Sequence, residues 1–335
     1  QRWIEQDECA GTPLMRFDGN LARLDFLGFD VTNFAYRYRP FRRVLVVGAG
    51  GGRDILSAKH FGAEHVTAVE INPGMRHIVD DVFGDFSGRP YGLGGVEPVI
   101  AEARSFLARE RRRWDLIQIS LIDSWAASTA GAFALAENNL YTAEAFGTYL
   151  DRLAPGGVLT VSRWYAPDFL TETLRLVNLT AEALSRRGIR DPGAHVVVVA
   201  GGRIATLLVS PRPFSTADVA SIRRAVQLLA FRPVYLPTIG ATDERIGRLL
   251  TTRDRAAYVA GLPVDLSPST DDRPFFFLPA RSVLSSPPAD LPPGLTYAER
   301  PLRSLRLLFF LLGGAALGFV LLPLALVRGS ALGRL

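Results

Sequence analysis

The sequence is poor in the residues that staple or metallate a fold. Cys9 is its single cysteine, which excludes a disulfide framework and a cysteine zinc site. The four histidines (His60, His65, His77 and His195) lack the spacing of a metal motif, so no metal is expected. Lysine is nearly missing too. Lys59 stands alone, so the net charge of +5 and the pI near 9.6 come almost wholly from arginine. Those arginines are scattered or flank an apolar tail, with no basic stripe interleaved with aromatics, which argues against nucleic-acid binding. The start reads as free of a signal peptide. Opening on Gln1 and stopping soon after a very apolar stretch, the 335 residues read as a fragment of a longer membrane protein, long enough for one large or two modest domains.

What the sequence does hold is a glycine-rich turn in a telling place. Arg43-Val44-Leu45-Val46-Val47 is an apolar, mostly β-branched run that leads into Gly48-Ala49-Gly50-Gly51-Gly52, and a helical pattern follows from Asp54 to His60. Glycine serves there because the chain must turn tightly and a ligand must approach backbone that a Cβ would cover. Glu70 closes the next strand, His65–Glu70, about twenty residues beyond the glycines, where an acidic side chain can accept both hydroxyls of a ribose. Together these predict a nucleoside site. Counting from Gly48, the sixth position is Arg53, not the glycine that an NAD fingerprint requires, and no Gly-Lys-Ser/Thr follows as a Walker loop demands. The spacing Gly48-x-Gly50-x-Gly52 suits S-adenosylmethionine-type transferases instead.

Strand and helix patterns alternate from Arg43 onward. Strands are predicted at 43–48, 65–70, 96–100, 114–120 and 157–163, and helices at 53–61, 73–83, 103–110, 142–153 and 168–187. Alternation of this kind predicts a parallel sheet covered on both faces. His195–Ala200 and Arg203–Ser210, separated by Gly201-Gly202, read as an antiparallel hairpin. The expected fold is thus α/β and Rossmann-like, of the class I methyltransferase type, with a mostly parallel sheet ending in that hairpin. Residues 214–231 read as a helix, 233–236 as a short strand and 241–260 as helical. The division expected is an irregular or short-strand opening over 1–40, with Leu21–Phe29 extended and a short helix from Asp30 to Tyr38. A nucleoside-binding domain over 41–212, its C-terminal extension over 213–277 and a proline-rich linker over 278–304 follow.

The run Leu307–Val327 carries no charge for about twenty-one residues. As a helix rising roughly 1.5 Å per residue it would match a hydrocarbon layer of roughly 30 Å, so a transmembrane helix is predicted over 305–328, kinked near Pro323. Arginines on both flanks place the preceding domain weakly on the cytoplasmic side of an inner, cytoplasmic membrane.

With these motifs in view, the chain resembles the bacterial membrane proteins that carry a spermidine synthase-like domain. The resemblance runs from about Asp18 to the apolar tail. It rests on VLVVGAGGGRDIL, AVEINPGM, Trp114-Asp115-Leu116-Ile117-Gln118-Ile119, Leu140-Tyr141-Thr142-x-Glu144-Ala-Phe146, Leu153-Ala-Pro-Gly156-Gly157 and the string Thr270-Asp271-Asp272-Arg273-Pro274-Phe275-Phe276-Phe277. It implies a seven-stranded sheet that binds S-adenosylmethionine or its decarboxylated form. Gly48, Gly50 and Gly52 would hold the methionine-like part, with Asp54 beside them. Glu70 would take the ribose. Glu102, in place of the usual aspartate, and Ala103 would read the adenine, although Glu102 also suits a helix-start acid. The acidic pair that working spermidine synthases carry after strand four becomes Ser120 and Asp123 here, and the aspartate within their glycine run is missing.

The catalytic candidates are therefore Asp123, Ser120 and Tyr141. Asp123 would orient or deprotonate an acceptor, Tyr141 would donate a hydrogen bond, and Trp125 would stack over a ring or cation. A lid in which Asp123 caps a helix and Trp125 packs inside is the competing reading, and Asp271-Asp272-Arg273 reads as a structural salt-bridge and turn element. The function expected is alkyl transfer, aminopropyl or methyl, to a small nucleophilic acceptor such as a polyamine or other amine, with lipid as the partner of the C-terminal helix and a homodimer allowed. The alternative is a nucleoside-sensing module without catalysis that controls an attached membrane domain.

Overall fold

The structure is a computed structural model that describes residues 2–6, 10–122, 137–278, 280, 291–295 and 299–332. Its strands are β1 (Arg2–Gln6), β2 (Ala10–Leu14), β3 (Arg43–Val47), β4 (His65–Glu70), β5 (Val96–Ile100), β6 (Trp114–Ser120), β7 (Leu153–Trp164), β8 (Val196–Gly201), β9 (Ile204–Val209), β10 (Arg232–Leu236) and β11 (Gly240–Ala241). Its helices are α1 (Phe34–Tyr38), α2 (Arg53–His60), α3 (Pro73–Arg76), α4 (Gly84–Ser87), α5 (Ala103–Arg109), α6 (Ala143–Asp151), α7 (Thr171–Arg186), α8 (Thr216–Leu228), α9 (Glu244–Thr251), α10 (Arg255–Ala260) and α11 (Glu299–Leu332).

The main sheet has the order β11-β10-β8-β9-β7-β6-β3-β4-β5. The strands from β7 across to β5 run parallel, while β9 lies antiparallel to both β7 and β8. This is a mixed, Rossmann-like sheet. Among the described residues it has nine strands, which corrects the seven expected: β10 pairs antiparallel with β8, and the two-residue β11 extends the edge further. Burial shows why β3 reads as continuously apolar. Val44 and Val46 enter the core on one face, with Ile55 of α2 and Tyr36 of α1, while Leu45 and Val47 enter the other, with Phe146 of α6 and Leu176 of α7. A strand covered on both faces needs apolar residues at successive positions.

The chain leaves β3 for β4 and β5 on one side, then crosses back to place β6 on the other side of β3. In open sheets of this kind, ligands sit beyond the carboxyl ends of the strands at such a reversal. The glycine turn, Glu70 and Ser120 all lie at this edge.

The opening segment differs most from expectation. Arg2–Gln6 and Ala10–Leu14 pair antiparallel as a separate two-stranded hairpin, and Leu21–Phe29 is a 3-10 helix instead of an extended strand. The Asn20 side chain caps it by accepting from Ala22 N at 3.0 Å, and Leu24 and Leu27 are buried. A local cap and spaced apolar anchors outweigh the extended tendency of the run. The helix expected over 73–83 divides into α3 and a π turn at His77–Val82. The segment expected as one helix over 241–260 is two, capped by Asp243 and Asp254.

The segment 305–328 lies within the 34-residue α11. Among the described residues, however, no helix is long and apolar enough to cross a membrane. The continuous apolar stretch whose side chains are described, Leu307–Leu321, makes only about 22 Å of helix at roughly 1.5 Å per residue.

Candidate nucleoside site at the sheet edge

The turn after β3 is left-handed at three points, with φ of 66° at Gly48, 50° at Gly50 and 83° at Gly52. An L side chain is disfavoured in that region. Space forbids one as well. A Cβ on Gly48 would lie 2.8 Å from Ile122 Cδ1, and one on Gly52 would lie 2.4 Å from Pro90 Cγ. On Gly51, where φ is not positive, it would lie 2.4 Å from the Pro13 carbonyl oxygen. Glycine is thus required here by the chain's own segments, the hairpin β1–β2 on one side and Pro90-Tyr91 on the other.

Glu70 ends β4 with its side chain turned to the glycine turn and is 7% exposed. Its Oε2 accepts from Gly50 N at 2.9 Å, and its Oε1 accepts from Asn72 N at 2.9 Å. The carboxylate is therefore locked in orientation by two backbone donors, and each oxygen keeps a second lone pair for a ligand hydroxyl. The Tyr91 hydroxyl donates to the Gly50 carbonyl at 2.6 Å. Burial, with the charges of Glu70 and Asp80 nearby, pushes its pKa well up and keeps it a neutral donor.

Asp54 lies in the first turn of α2, buried, accepting from Arg53 Nε at 3.0 Å. Burial acts most strongly on the Arg53 cation and disfavours it, but Asp54 and Asp30 together outweigh burial and raise its pKa. Asp54 is thereby committed to an internal ion pair beneath the turn. Glu102 is the N-cap of α5, its oxygens accepting from Arg104 N at 2.8 Å and Ser105 N at 2.7 Å. Partial burial works against its charge, and these hydrogen bonds more than compensate, so its pKa is lowered. Ala103 is the buried first residue of α5. Both functions weighed for Glu102, adenine reader and helix-start acid, place it at this spot, and capping is the one its contacts display.

Ser120 ends β6, and its hydroxyl accepts from Gln118 Nε2 at 3.2 Å. Gln118 in turn accepts from the buried Tyr36 hydroxyl at 2.8 Å and donates to Asn33 at 3.3 Å. A polar chain therefore runs under the strand end. Beyond it Leu121 adopts φ 51°, a costly conformation for a non-glycine residue, and the turn carries Ile122 over Gly48. Asp123 and Trp125, with the rest of 123–136, lie outside the described residues.

Tyr141 is fully buried, stacked on Phe276 at 4.9 Å, and donates to the Ile122 carbonyl at 3.3 Å. Its hydroxyl reaches the strand mouth, but its ring forms part of the wall. The same carbonyl accepts from Arg163 Nη1 at 3.2 Å. Arg163 is 1% exposed, pairs through Nε with Glu172, and lies 5.3 Å from the Tyr141 ring centre and 4.9 Å from that of Phe277. Sequence reasoning passed over Arg163. Its one signal is a lone charge near the end of an otherwise uncharged strand, Val158-Leu159-Thr160-Val161-Ser162-Arg163. Thr12, Pro13, Pro90 and Tyr91 left no local signal at all.

Asp271-Asp272-Arg273 forms the salt-bridge and turn element it was read as. Asp271 binds both guanidinium nitrogens of Arg104, one at 2.7 Å, and accepts from the Thr142 hydroxyl at 2.8 Å. Asn138 N donates to the Pro274 carbonyl at 2.8 Å, and Ala143 N donates to that of Ser269 at 2.9 Å. The extension thus ties α5 to α6 and fixes the wall behind Tyr141.

No family model matches the chain. A stretch of 121 residues, 35% of this chain, is 28% identical to polyamine aminopropyltransferase 2 of Hyperthermus butylicus and spans 37% of that protein, well under half its length. Among solved structures, a probable spermidine synthase from Corynebacterium glutamicum aligns over 60% of this chain and 70% of its own, at 20% identity and a TM-score of 0.41. Spermidine synthase from Thermotoga maritima aligns over 66% and 68%, at 15% identity and 0.39. Human methyltransferase-like protein 13, in complex with SAH, aligns over 65% and 95%, at 19% and 0.39.

Proposed function

We propose that the chain binds an S-adenosyl nucleoside, S-adenosylmethionine or its decarboxylated form, across the ends of β3, β4 and β6, and transfers an aminopropyl or methyl group from it to a small nucleophile. The observation that carries this reading is the buried Glu70 carboxylate, fixed by Gly50 and Asn72 at the point where the strand order reverses. A preoriented carboxylate on a crevice floor suits a vicinal diol.

When bound, such a nucleoside supplies an electrophilic carbon next to a sulfonium. The acceptor's lone pair forms the new bond while the carbon–sulfur bond breaks, its electrons going to sulfur as a neutral thioether, and the acceptor's proton leaves to a base or water. The chain's part is mainly to hold the two partners in line. Glu70 grips the sugar, the glycine turn admits the tail, and Glu102 and Ala103 flank the base. Tyr141, Arg163 and the aromatic pair Phe276 and Phe277 close the acceptor side. In this reading Asp123 orients or deprotonates the acceptor, and Ser120, a hydroxyl engaged with Gln118, stands by as a polar contact. Because Ser120 occupies a position expected to carry a base, non-catalytic nucleoside sensing is the second reading.

Calorimetric titration with S-adenosylmethionine, decarboxylated S-adenosylmethionine and NAD tests the first claim, and binding of NAD alone would overturn it. Asp123→Ala separates the two readings: an enzyme loses turnover and keeps nucleoside affinity, whereas a sensor has no turnover to lose. We also propose that 305–328 holds the chain at the inner, cytoplasmic membrane, with the nucleoside site in the cytoplasm. The support is the exposed apolar surface of α11, including Phe309, Phe310 and Phe319. Release of the chain from membranes by an alkaline carbonate wash would refute it.

A further inference from the structure

Every N–H of the glycine turn already has a partner within the chain. Gly48 N and Ala49 N donate to the Val69 carbonyl at 2.9 and 3.1 Å, and Gly52 N donates to that of Ala49 at 2.9 Å. Gly50 N is held by Glu70 and Gly51 N by the Thr12 hydroxyl, at 2.9 and 3.0 Å. The first two bonds tie the turn to β4, the third closes the turn on itself, and the fourth orients Glu70. Only the bond to Thr12 comes from outside the main sheet, from the separate hairpin β1–β2.

The hairpin is seated closely. A Cβ on Gly50 would lie 2.9 Å from Thr12 Oγ1, and one on Gly51 would lie 3.2 Å from that atom and 2.4 Å from the Pro13 carbonyl oxygen. Around the turn, the groups presented from these two residues and Glu70 are a hydroxyl oxygen, a carbonyl oxygen and a carboxylate. An anion placed at the opening of α2 would otherwise be favoured by free N–H groups and the helix dipole.

We propose that Thr12 is a specificity-determining residue for the tail of the bound nucleoside. Its hydroxyl retains the Gly51 N–H that a tail carboxylate would take, so the hairpin sets the site against carboxylate-bearing tails. This rests on the nucleoside reading above, and the test separates the two. The full chain and its Thr12→Val and Thr12→Ser variants are titrated with S-adenosylhomocysteine, which carries the carboxylate, and with methylthioadenosine, which lacks the whole amino-acid tail.

Valine keeps the shape and removes the acceptor, freeing Gly51 N–H, so S-adenosylhomocysteine should bind about tenfold more tightly while methylthioadenosine changes by less than about twofold. Thr12→Ser keeps the hydroxyl and should match the unsubstituted chain. If both ligands bind and Thr12→Val shifts them equally, or weakens S-adenosylhomocysteine, the Thr12 assignment is overturned and the nucleoside reading stands. If neither ligand binds the unsubstituted chain, the nucleoside reading falls and the role of Thr12 falls with it.

Discussion

Replacing Glu70 by glutamine changes one atom type and tests the site at its most informative point. In the native chain both carboxylate oxygens accept from backbone N–H groups at 2.9 Å, in a nearly buried setting. Glutamine has one oxygen to offer, so its amide nitrogen must face either Gly50 N–H or Asn72 N–H, donor against donor. Losing one hydrogen bond to a charged group and leaving its N–H unsatisfied costs about 3 kcal/mol in all. For a chain of this size that lowers the melting temperature by about 4 °C.

The effect on ligand should be larger in ratio. A ribose diol that donates to a carboxylate loses charge-assisted bonds, and nucleoside affinity should fall about 100-fold. Glu70→Asp keeps the charge but is one methylene too short to span both N–H groups, so it should fall between. Differential scanning calorimetry and titration with S-adenosylhomocysteine read both quantities. A Gln variant that melts within about 2 °C of the parent and binds within about threefold would refute the reasoning.

Gly51→Ala incurs no left-handed strain, so its whole effect is the 2.4 Å approach to the Pro13 carbonyl oxygen. It should unseat the hairpin, seen as faster amide exchange across β1 and β2 with little change in β3 and β4. Phe276 is 1% exposed and stacks on Tyr141, so Phe276→Ala should cost about 3–5 kcal/mol of stability in chemical denaturation. Glu102 has a lowered carboxyl pKa in the folded chain, so its stabilisation is present above the ordinary carboxylate pKa and disappears as pH falls through the folded value. Glu102→Gln should therefore melt below the parent at pH 7 by about 1–3 °C, the worth of one cap, and the gap should close as pH falls below the ordinary carboxylate range. A gap unchanged across that range would show that the carboxylate contributes nothing by its charge.

Much of the sheet was legible because local signals and tertiary demands agree in its parallel half. β3, β4, β5 and β6 fall where apolar runs predict them, and Gly48, Gly50 and Glu70 assemble at the edge because strand ends at fixed intervals must meet there. Leu21–Phe29 was misread because nine mostly apolar residues without clean periodicity serve a strand or a tight helix equally, and the Asn20 cap with burial on α2 decides between them. The ninth strand is too short to announce itself.

From β3 to β9 the sequence alone determined the order of the strands, the glycine turn and the acid that faces it, since each depends on residues within one strand–turn–helix unit. Only the tertiary structure decided what covers that turn. Thr12 and Pro13 arrive from nearly forty residues upstream and Pro90 from nearly forty downstream, and Arg163 meets the Ile122 carbonyl across adjacent strands. Contacts of that range are settled by packing and by the need to satisfy buried donors and acceptors, and neither is written into a local pattern.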